Sequence, residues 1–228
     1  MDAWAVASRS IGWPDKSYIP EGVKLNLGCG KIILNKEEGW VNVDKLPLDG
    51  VDVRHDLFTF PWPFDNNYAD YIMASHIVEH IPHEVMYRVS NAISGPIPAN
   101  TSVSERVKHY WDRVNIDGFF AFFREVHRIL KPTGKITVLC PYGLSTGALQ
   151  DPTHTRYLVP ATFGYLTKDS GGDYFDYGID FAFELVDEGL TIFGNPWLEY
   201  STPVERDWHM QHTFDAACIM RVNLRPVK

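Results

Sequence analysis

The feature that most constrains the fold of this chain is a short glycine turn directly after an apolar segment. Residues 23–27 are typical of a β-strand, and Gly28-Cys29-Gly30 follows them at once. Glycines at such a place let the backbone turn tightly and approach a ligand that a Cβ atom would block. Because a bare Gly-x-Gly also marks ordinary turns, its meaning depends on the residues that come after it in the chain.

Two acidic residues follow this turn at the ends of the next two predicted strands. Residues 40–44 form an apolar segment that ends in Asp44, and residues 51–54 form another, with Asp56 just beyond it. In a parallel sheet these strand ends lie at the same edge, where open α/β sheets bind their ligands. An acid at the first place can accept hydrogen bonds from ribose hydroxyls, and one at the second can accept from an adenine amino group.

The middle of the chain predicts an α/β fold with a mostly parallel sheet. Strands are predicted at residues 69–75 and 135–140, and helices at residues 76–93 and 119–130. This alternation is typical of parallel strands with helices packed on the faces of the sheet.

The end of the chain has a different pattern. Apolar segments at residues 183–186, 190–193 and 217–224 follow one another without the helical pattern that separates the earlier strands. Sequential strands of this kind predict antiparallel pairing at one edge of the sheet.

Composition excludes several classes of protein. The chain has 21 basic and 29 acidic residues and a net charge of −8, which argues against a nucleic-acid backbone as partner. The three cysteines, Cys29, Cys140 and Cys218, form no metal-binding or disulfide pattern. No apolar segment has the length of a membrane span, and no signal peptide is evident, so we expect no membrane partner and a cytoplasmic protein.

Several segments together resemble those of the class I S-adenosylmethionine-dependent methyltransferases. They are residues 24–30 (Lys-Leu-Asn-Leu-Gly-Cys-Gly), 39–44 (Gly-Trp-Val-Asn-Val-Asp), 55–57, 68–72, 76–80 and 130–135. The resemblance covers about residues 23–141 and implies a Rossmann-like sheet of seven strands, mostly parallel, with an antiparallel C-terminal edge. It also implies S-adenosylmethionine as the cofactor.

The resemblance assigns a role to each part of the cofactor site. The turn Gly28-Cys29-Gly30 would hold the methionine part, and Asp44 would hold the ribose. Asp56 and Leu57 would contact the adenine. Ser75 and His76, at the end of the fourth strand, would line the site.

The sequence differs from the usual family pattern in three respects. Asn26 stands where an acid is usual, and its amide carbonyl is expected to accept a hydrogen bond from the cofactor's ammonium group. Ile32 replaces the third glycine of the turn. Nine residues separate Gly30 from Trp40, so the first crossover helices are expected to be shortened. In this trimmed form the chain looks most similar to a subgroup of bacterial and phage methyltransferases.

The resemblance also suggests where the methyl acceptor binds. We expect a single methyltransferase domain over residues 1–228, with an N-terminal extension at 1–22 and insertions over the acceptor site at 91–118 and 142–181. His154 is the first candidate for a base that removes the acceptor's proton, and His76 is the second. Arg156 is a candidate clamp for an anionic acceptor. The alternative for this segment is a structural turn in which Asp151 caps a helix.

One short motif allows a metal interpretation. His76, Glu79 and His80 fit the H-x-x-E-H pattern of inverzincin metallopeptidases. The structural alternative, in which this is the ordinary segment after the fourth strand, is favoured because His76 is predicted at a strand end and not within a helix. No metal is therefore expected.

The resulting hypothesis is methyl transfer to an unidentified acceptor that is a small molecule or resembles a saccharide. A non-catalytic S-adenosylmethionine-binding or interaction protein is the alternative. An NAD-linked oxidoreductase is disfavoured because the third glycine of G-x-G-x-x-G is missing. A DNA base as acceptor is disfavoured because the Asn/Asp-Pro-Pro-aromatic motif is missing after the fourth strand. The sequence leaves the oligomeric state open.

Overall fold

The computed structural model describes residues 13–85, 116–167 and 179–228. Most of the predicted N-terminal extension and of the insertion at 91–118 lies outside these residues. So do residues 86–93 of the predicted helix at 76–93, and residues 168–178 of the insertion at 142–181.

Seven strands in the described residues form one sheet, in the order β3-β2-β1-β4-β7-β9-β8. They are β1 (Lys24–Leu27), β2 (Trp40–Asp44), β3 (Val53–Arg54), β4 (Ala69–Ser75), β7 (Leu130–Pro141), β8 (Ala182–Gly194) and β9 (Ala217–Val227). Strands β1, β2, β3, β4 and β7 run parallel, whereas β9 pairs antiparallel with both β7 and β8. The predicted Rossmann-like sheet with an antiparallel C-terminal edge is confirmed.

A separate antiparallel pair joins β5 (Glu84–Val85) and β6 (Ile116–Asp117). The described α-helices are α1 (Gly118–Ile129), α2 (Thr146–Leu149), α3 (Pro160–Gly164) and α4 (Pro203–His212). None of the helices in the described residues has both the length and the apolar character needed to cross a membrane.

Helix α1 covers the middle of the sheet. The Asp117 side chain caps its first turn by accepting a hydrogen bond from the Phe119 amide at 2.9 Å. Its buried residues recur three or four positions apart, as in Phe119, Phe122 and Phe123, and they join the main hydrophobic core.

The first crossover connections are short, as predicted. Between β1 and β2 the structure has a single 3-10 turn, Lys36–Glu38, and between β2 and β3 the residues 45–52 form no helix. The carboxyl ends of β1, β2 and β3 are therefore surrounded by loops, whose position must be fixed by hydrogen bonds rather than by packed helices.

Two of the sequence predictions were wrong. The segment after β4 forms a 3-10 turn at Val78–His80 and then strand β5, not a helix through residues 76–85. Pro82 explains this difference, because proline lacks an N–H group and disfavours helical geometry at the preceding residue.

The segments at 183–186 and 190–193 were expected as two separate strands. They are two halves of β8, and both pair with β9. The register shifts between Leu185 and Leu190, where Asp187 and Gly189 have positive φ angles of 55° and 60°. A bulge thus accommodates the residues between the two apolar segments within one strand.

Candidate functional site

The glycine turn lies at the carboxyl end of β1, in the middle of the parallel strands. Gly28 and Gly30 have φ angles of 63° and 51°, which are left-handed values that favour glycine. A Cβ atom added to Gly28 would lie 2.9 Å from Cδ1 of Ile77, whereas one added to Gly30 would meet nothing within 4 Å. Gly28 therefore allows close packing on the segment after β4, and Gly30 faces open space.

Asp44, at the end of β2, holds this turn. Its carboxylate accepts hydrogen bonds from the Gly30 amide at 2.8 Å and from the Leu46 amide at 2.9 Å. The residue is 9% exposed. Burial, with a smaller contribution from the Asp44 charge, raises the pKa of the neighbouring Cys29 thiol to about 12. The turn thus contains a neutral thiol beside a buried carboxylate.

Asn26 has a structural role in this region. Its amide nitrogen donates to the Ile32 carbonyl at 2.8 Å and to Oδ1 of Asn42 at 3.0 Å. The Asn42 side chain in turn bonds to both the N–H and the C=O group of Leu34. A carboxylate at position 26 could not donate these bonds, so the amide suits a turn whose crossover helix is missing.

The predicted adenine residues lie beyond β3. Asp56 is exposed, and its Oδ1 accepts a hydrogen bond from the Phe58 amide at 3.0 Å. Leu57 is buried, and its carbonyl accepts from the Trp62 indole at 3.0 Å. Asp56 lines an open cleft together with Lys45, Leu46, Arg54, His55 and Thr59.

A second pocket lies at the carboxyl ends of β4 and β7, and its lining residue His76 is next in the chain to Ile77, which packs against Gly28. It has a volume of about 430 Å³. Eight of its twelve lining residues have polar side chains; the twelve are His76, Glu79, His80, Pro141, Ser145, Gly147, Gln150, Asp151, His154, Asp215, Cys218 and Ile219. The fold thus brings the two predicted catalytic residues, His154 and His76, into one pocket.

Ser75 and His76 mark the end of β4, as the sequence predicted. Ser75 is half-buried and pairs with Leu139 of β7. His76 has a φ angle of 54°, and its side chain is 47% exposed. Its Nδ1 lies 3.2 Å from Oε1 of Glu79, so this imidazole sits at the rim of the pocket beside a buried carboxylate.

His154 lies deeper in the pocket, with a side chain that is 7% exposed. Its Nδ1 lies 2.8 Å from the Ala148 carbonyl, and its Nε2 lies 3.8 Å from Oδ2 of Asp151. Asp151 accepts hydrogen bonds from both the amide and the hydroxyl of Thr153. The alternative of a capped helix is wrong, because no helix follows this turn until α3 begins at Pro160.

Arg156 faces the protein and not an acceptor. Its guanidinium donates to the carbonyls of Ile81 and Pro82 at 2.8 and 2.9 Å and to the Asp117 carboxylate at 3.0 Å. These bonds fasten the loop after β7 to the segment after β4. The structure therefore gives Arg156 a structural role instead of the predicted clamp.

Sequence reasoning missed the grouping of Glu79 and His80 with His154. Ligand atoms of these three side chains lie within 4.8 Å of one another. The H-x-x-E-H spacing drew attention to Glu79 and His80, but it paired them with His76. Nothing in the local spacing indicated that a residue from the loop after β7 completes the group.

No model of a known protein family matches this chain. Glucose N-acetyltransferase 1 of Saccharomyces cerevisiae is 25% identical to it over 103 residues, which are 45% of this chain. The match spans only 19% of the length of that yeast protein.

Solved structures similar to this chain include S-adenosylmethionine-dependent methyltransferases. One from Archaeoglobus fulgidus has a TM-score of 0.51 and 18% identity, over 98% of this chain and 94% of that chain. The 1,6-didemethyltoxoflavin-N1-methyltransferase of Burkholderia thailandensis, solved with S-adenosylhomocysteine, has a TM-score of 0.44 and 10% identity, over 99% of this chain and 77% of that chain. By its strand order and by the first of these likenesses, the chain has the Rossmann-like fold of class I methyltransferases.

Proposed function

We propose that this chain is an S-adenosylmethionine-dependent methyltransferase that acts on a small polar acceptor, of which a saccharide is one type. The observation that carries the proposal is the open glycine turn at the end of β1, with Asp44 and Asp56 following at the ends of the next two strands. The short crossovers also support a place for the chain in the trimmed bacterial and phage subgroup.

The residues at this edge fit the cofactor. Gly30 faces open space and would let the backbone contact the methionine part without a side chain in between. Asp44 would bind the ribose, and its carboxylate would then share its hydrogen bonds between the sugar and the turn. Asp56, at the exposed cleft beyond β3, would bind the adenine together with Leu57.

When bound, S-adenosylmethionine would supply a methyl group that is activated by its positively charged sulfur. A lone pair of the acceptor would form the new bond to the methyl carbon, and the electron pair of the broken carbon–sulfur bond would stay on sulfur. The polar pocket beside the turn would hold the acceptor, and its walls align the acceptor for in-line attack. An imidazole nitrogen of His154 or His76 would take the proton that the acceptor loses.

The polar side chains in this pocket support a small polar acceptor. Ser145, Gln150 and Asp215 offer hydroxyl, amide and carboxylate groups around the imidazoles. Such a lining suits hydrogen bonding to hydroxyl or amino groups. Because the chain has a net charge of −8, a nucleic acid is not proposed as the acceptor.

The test is the affinity for S-adenosylmethionine, measured by titration calorimetry. Asp44→Ala and Asp44→Asn should weaken binding about 10- to 100-fold, because each removes a charged acceptor for ribose hydroxyls. Asp49→Asn, a change to an exposed acid in the loop after β2, should bind like the wild type. Circular dichroism checks that each variant is folded. Unchanged affinity in both Asp44 variants would overturn the ribose assignment.

Turnover separates this proposal from the non-catalytic alternative. Wild-type protein should release S-adenosylhomocysteine when it is incubated with S-adenosylmethionine and a panel of sugars, amines and phenols. A protein that binds the cofactor tightly and releases none with any acceptor would be a binding protein of the same fold.

A further inference from the structure

The three side chains grouped in the acceptor pocket have the composition of a transition-metal site. Glu79 and His80 come from the 3-10 turn after β4, and His154 comes from the loop after β7. Their ligand atoms lie within 4.8 Å of one another, and the two imidazole rings are 4.7 Å apart between centroids. One carboxylate and two imidazoles thus converge on one point of the pocket wall.

The hydrogen bonds of the two rings leave the same nitrogen free on each. Nδ1 of His154 lies 2.8 Å from the Ala148 carbonyl. Nδ1 of His80 lies 3.1 Å from the Thr153 hydroxyl oxygen and 3.3 Å from the Thr153 carbonyl. A carbonyl only accepts, and the Thr153 hydroxyl donates its hydrogen to Asp151 at 2.7 Å, so the hydrogen of each ring belongs on Nδ1. The lone pair is then on Nε2 of each ring, which is the arrangement found where a metal-binding histidine donates its other N–H to a carbonyl.

The carboxylate supplies an independent indication of a ligand. Glu79 is 1% exposed, and its Oε2 is buried without a hydrogen-bond partner in the part of the chain that the structure describes. Among the described residues, Oε1 has the rim histidine, His76, as its partner at 3.2 Å. Desolvating a carboxylate oxygen without a partner is unfavourable, and a cation bound at Oε2 would remove that cost.

The framework that carries these ligands is fixed before any ion binds. The amides of Thr155 and Arg156 donate to the Glu79 carbonyl at 2.9 and 3.1 Å. The Thr155 hydroxyl donates to the Ile81 carbonyl at 2.7 Å. The two ligand-bearing segments are thus fastened together along their backbones, so that binding an ion needs side-chain rotation alone. Tetrahedral ligands at zinc lie roughly 3.3 Å apart, so the three side chains would move inward by about 1 Å.

The ligand set selects the kind of ion. Two imidazoles with one carboxylate suit zinc and other divalent transition metals, whereas magnesium and calcium take oxygen ligands. Three protein ligands leave a coordination position open, and here it would face the pocket beside Asp151, whose carboxylate lies 3.8 Å from Nε2 of His154.

We propose that Glu79, His80 and His154 bind one divalent transition-metal ion, with zinc as the reference, and that its open position faces the acceptor pocket. The binding site itself does not depend on the proposed methyl transfer. Its role does rest on that function: the ion would hold an acceptor oxygen or nitrogen as a Lewis acid. His154 is then a ligand, and His76 at the rim is the imidazole that takes the proton.

The experiment uses the full chain without a polyhistidine tag, stripped with a chelator and dialysed. Titration with Co²⁺ should produce the visible absorption of a nitrogen- and oxygen-ligated ion at one equivalent per chain, and Zn²⁺ should displace it. Zn²⁺, but not Mg²⁺, should raise the melting temperature. Absence of stoichiometric Co²⁺ and Zn²⁺ binding, or a preference for Mg²⁺, would overturn the proposal.

The variants test the three ligands one by one. Glu79→Gln, His80→Gln and His154→Gln should each weaken Zn²⁺ binding more than about 100-fold, because the loss of even an outer hydrogen-bond partner of a ligand weakens binding 10- to 100-fold. His83→Gln, a change to an exposed histidine nearby, is the matched control and should bind like the wild type. Glu79→Gln keeps the side-chain shape and should fold, and Glu79→Asp should recover part of the affinity. Equal Zn²⁺ affinity in Glu79→Gln and His83→Gln would contradict the site.

The same variants separate this inference from the proposed function. Asp44→Asn should lose S-adenosylmethionine affinity but keep the Co²⁺ spectrum, and Glu79→Gln should do the reverse. A wild-type protein that binds Co²⁺ but not the cofactor would support the metal site and refute the methyltransferase.

Discussion

The two glycines of the turn are held in similar backbone conformations but differ in their surroundings. We predict that Gly30→Ala costs about 1 kcal/mol of unfolding free energy, because alanine is strained at positive φ. Gly28→Ala should cost about 2–3 kcal/mol, because its Cβ would also press on Cδ1 of Ile77. Urea denaturation followed by circular dichroism measures both.

A double-mutant cycle tests the steric part of that cost. Ile77→Val removes Cδ1, so it should recover about 1 kcal/mol when combined with Gly28→Ala and none when combined with Gly30→Ala. Additive effects in both combinations would show that Ile77 does not limit the space at Gly28.

The three cysteines should differ in reactivity because their side chains differ in burial. The thiolate is the reactive form, and burial raises the pKa of Cys29 to about 12 and that of Cys140 well above its ordinary range. Burial also raises the pKa of Cys218, but this residue is only partly buried and lines the pocket that contains His154. Iodoacetamide at pH 8 should therefore modify Cys218 first, and mass spectrometry of the native protein should find Cys29 and Cys140 protected.

Urea provides the control for this labelling, because all three cysteines should react once the chain is unfolded. Labelling of Cys29 at the rate of Cys218 in native protein would mean that the glycine turn opens far more readily than its hydrogen bonds suggest.

At the scale of elements, α1 fixes the loop that comes after the predicted adenine residues. Glu125 is fully buried, and its Oε2 accepts from the Trp62 amide and from Arg128, both at 2.7 Å. Arg128 also donates to the Phe64 carbonyl at 2.7 Å. Glu125→Ala should therefore cost about 3–5 kcal/mol, because it leaves a partly buried guanidinium and an amide without their carboxylate.

The matched control for Glu125 is Glu184 of the edge strand β8, which pairs with the exposed Arg225 of β9. Glu184→Ala should cost less than about 1 kcal/mol. Chemical unfolding followed by tryptophan fluorescence compares the two variants. Similar costs would show that the pair on α1 adds nothing beyond an exposed ion pair.

The elements also show how far local sequence patterns reach. Strands β1, β2 and β4 and helix α1 were predictable, because each has a hydrophobic period and a clear stop signal of its own. The two halves of β8 were not predictable as one strand, since the bulge at Asp187 and Gly189 becomes evident only when β9 is beside it. The absence of a helix in residues 76–85 could have been inferred from Pro82, but the apolar spacing of the segment outweighed that signal.

Part of the candidate site was likewise predictable from the sequence, and part was not. The glycine turn, Asp44 and Asp56 follow successive strands, so chain order and the parallel sheet suffice to place them at one edge. The grouping of Glu79, His80 and His154 depends instead on hydrogen bonds between the loop after β7 and the segment after β4. Contacts between such distant parts of a chain leave no periodic signal in the sequence, so they were found only in the folded structure.

At the scale of the whole molecule, α1 is joined to the last strand of the sheet through a histidine. His127 of α1 has its Nε2 3.0 Å from the carbonyl of Val227, and its ring packs against Phe183 of β8. Burial lowers the pKa of His127 below its ordinary value of 6.5, although the bond to Val227 opposes this shift. The folded protein therefore keeps this ring neutral at a pH where the unfolded chain already takes up a proton.

This difference predicts how the stability of the entire chain depends on pH. Because the unfolded state binds more protons, the contribution of His127 is fully present above pH 6.5, declines as the pH falls below it, and levels off below the folded-state pKa. His127→Gln keeps a donor for Val227 but does not titrate, so its unfolding free energy should fall less steeply between neutral pH and about pH 5. Urea denaturation at a series of pH values measures the slopes. Parallel curves for wild type and His127→Gln would contradict this prediction. They would show that the ring takes up a proton as readily in the folded protein as in the unfolded chain. The contact between α1 and the C-terminal edge would then tolerate a charged imidazole.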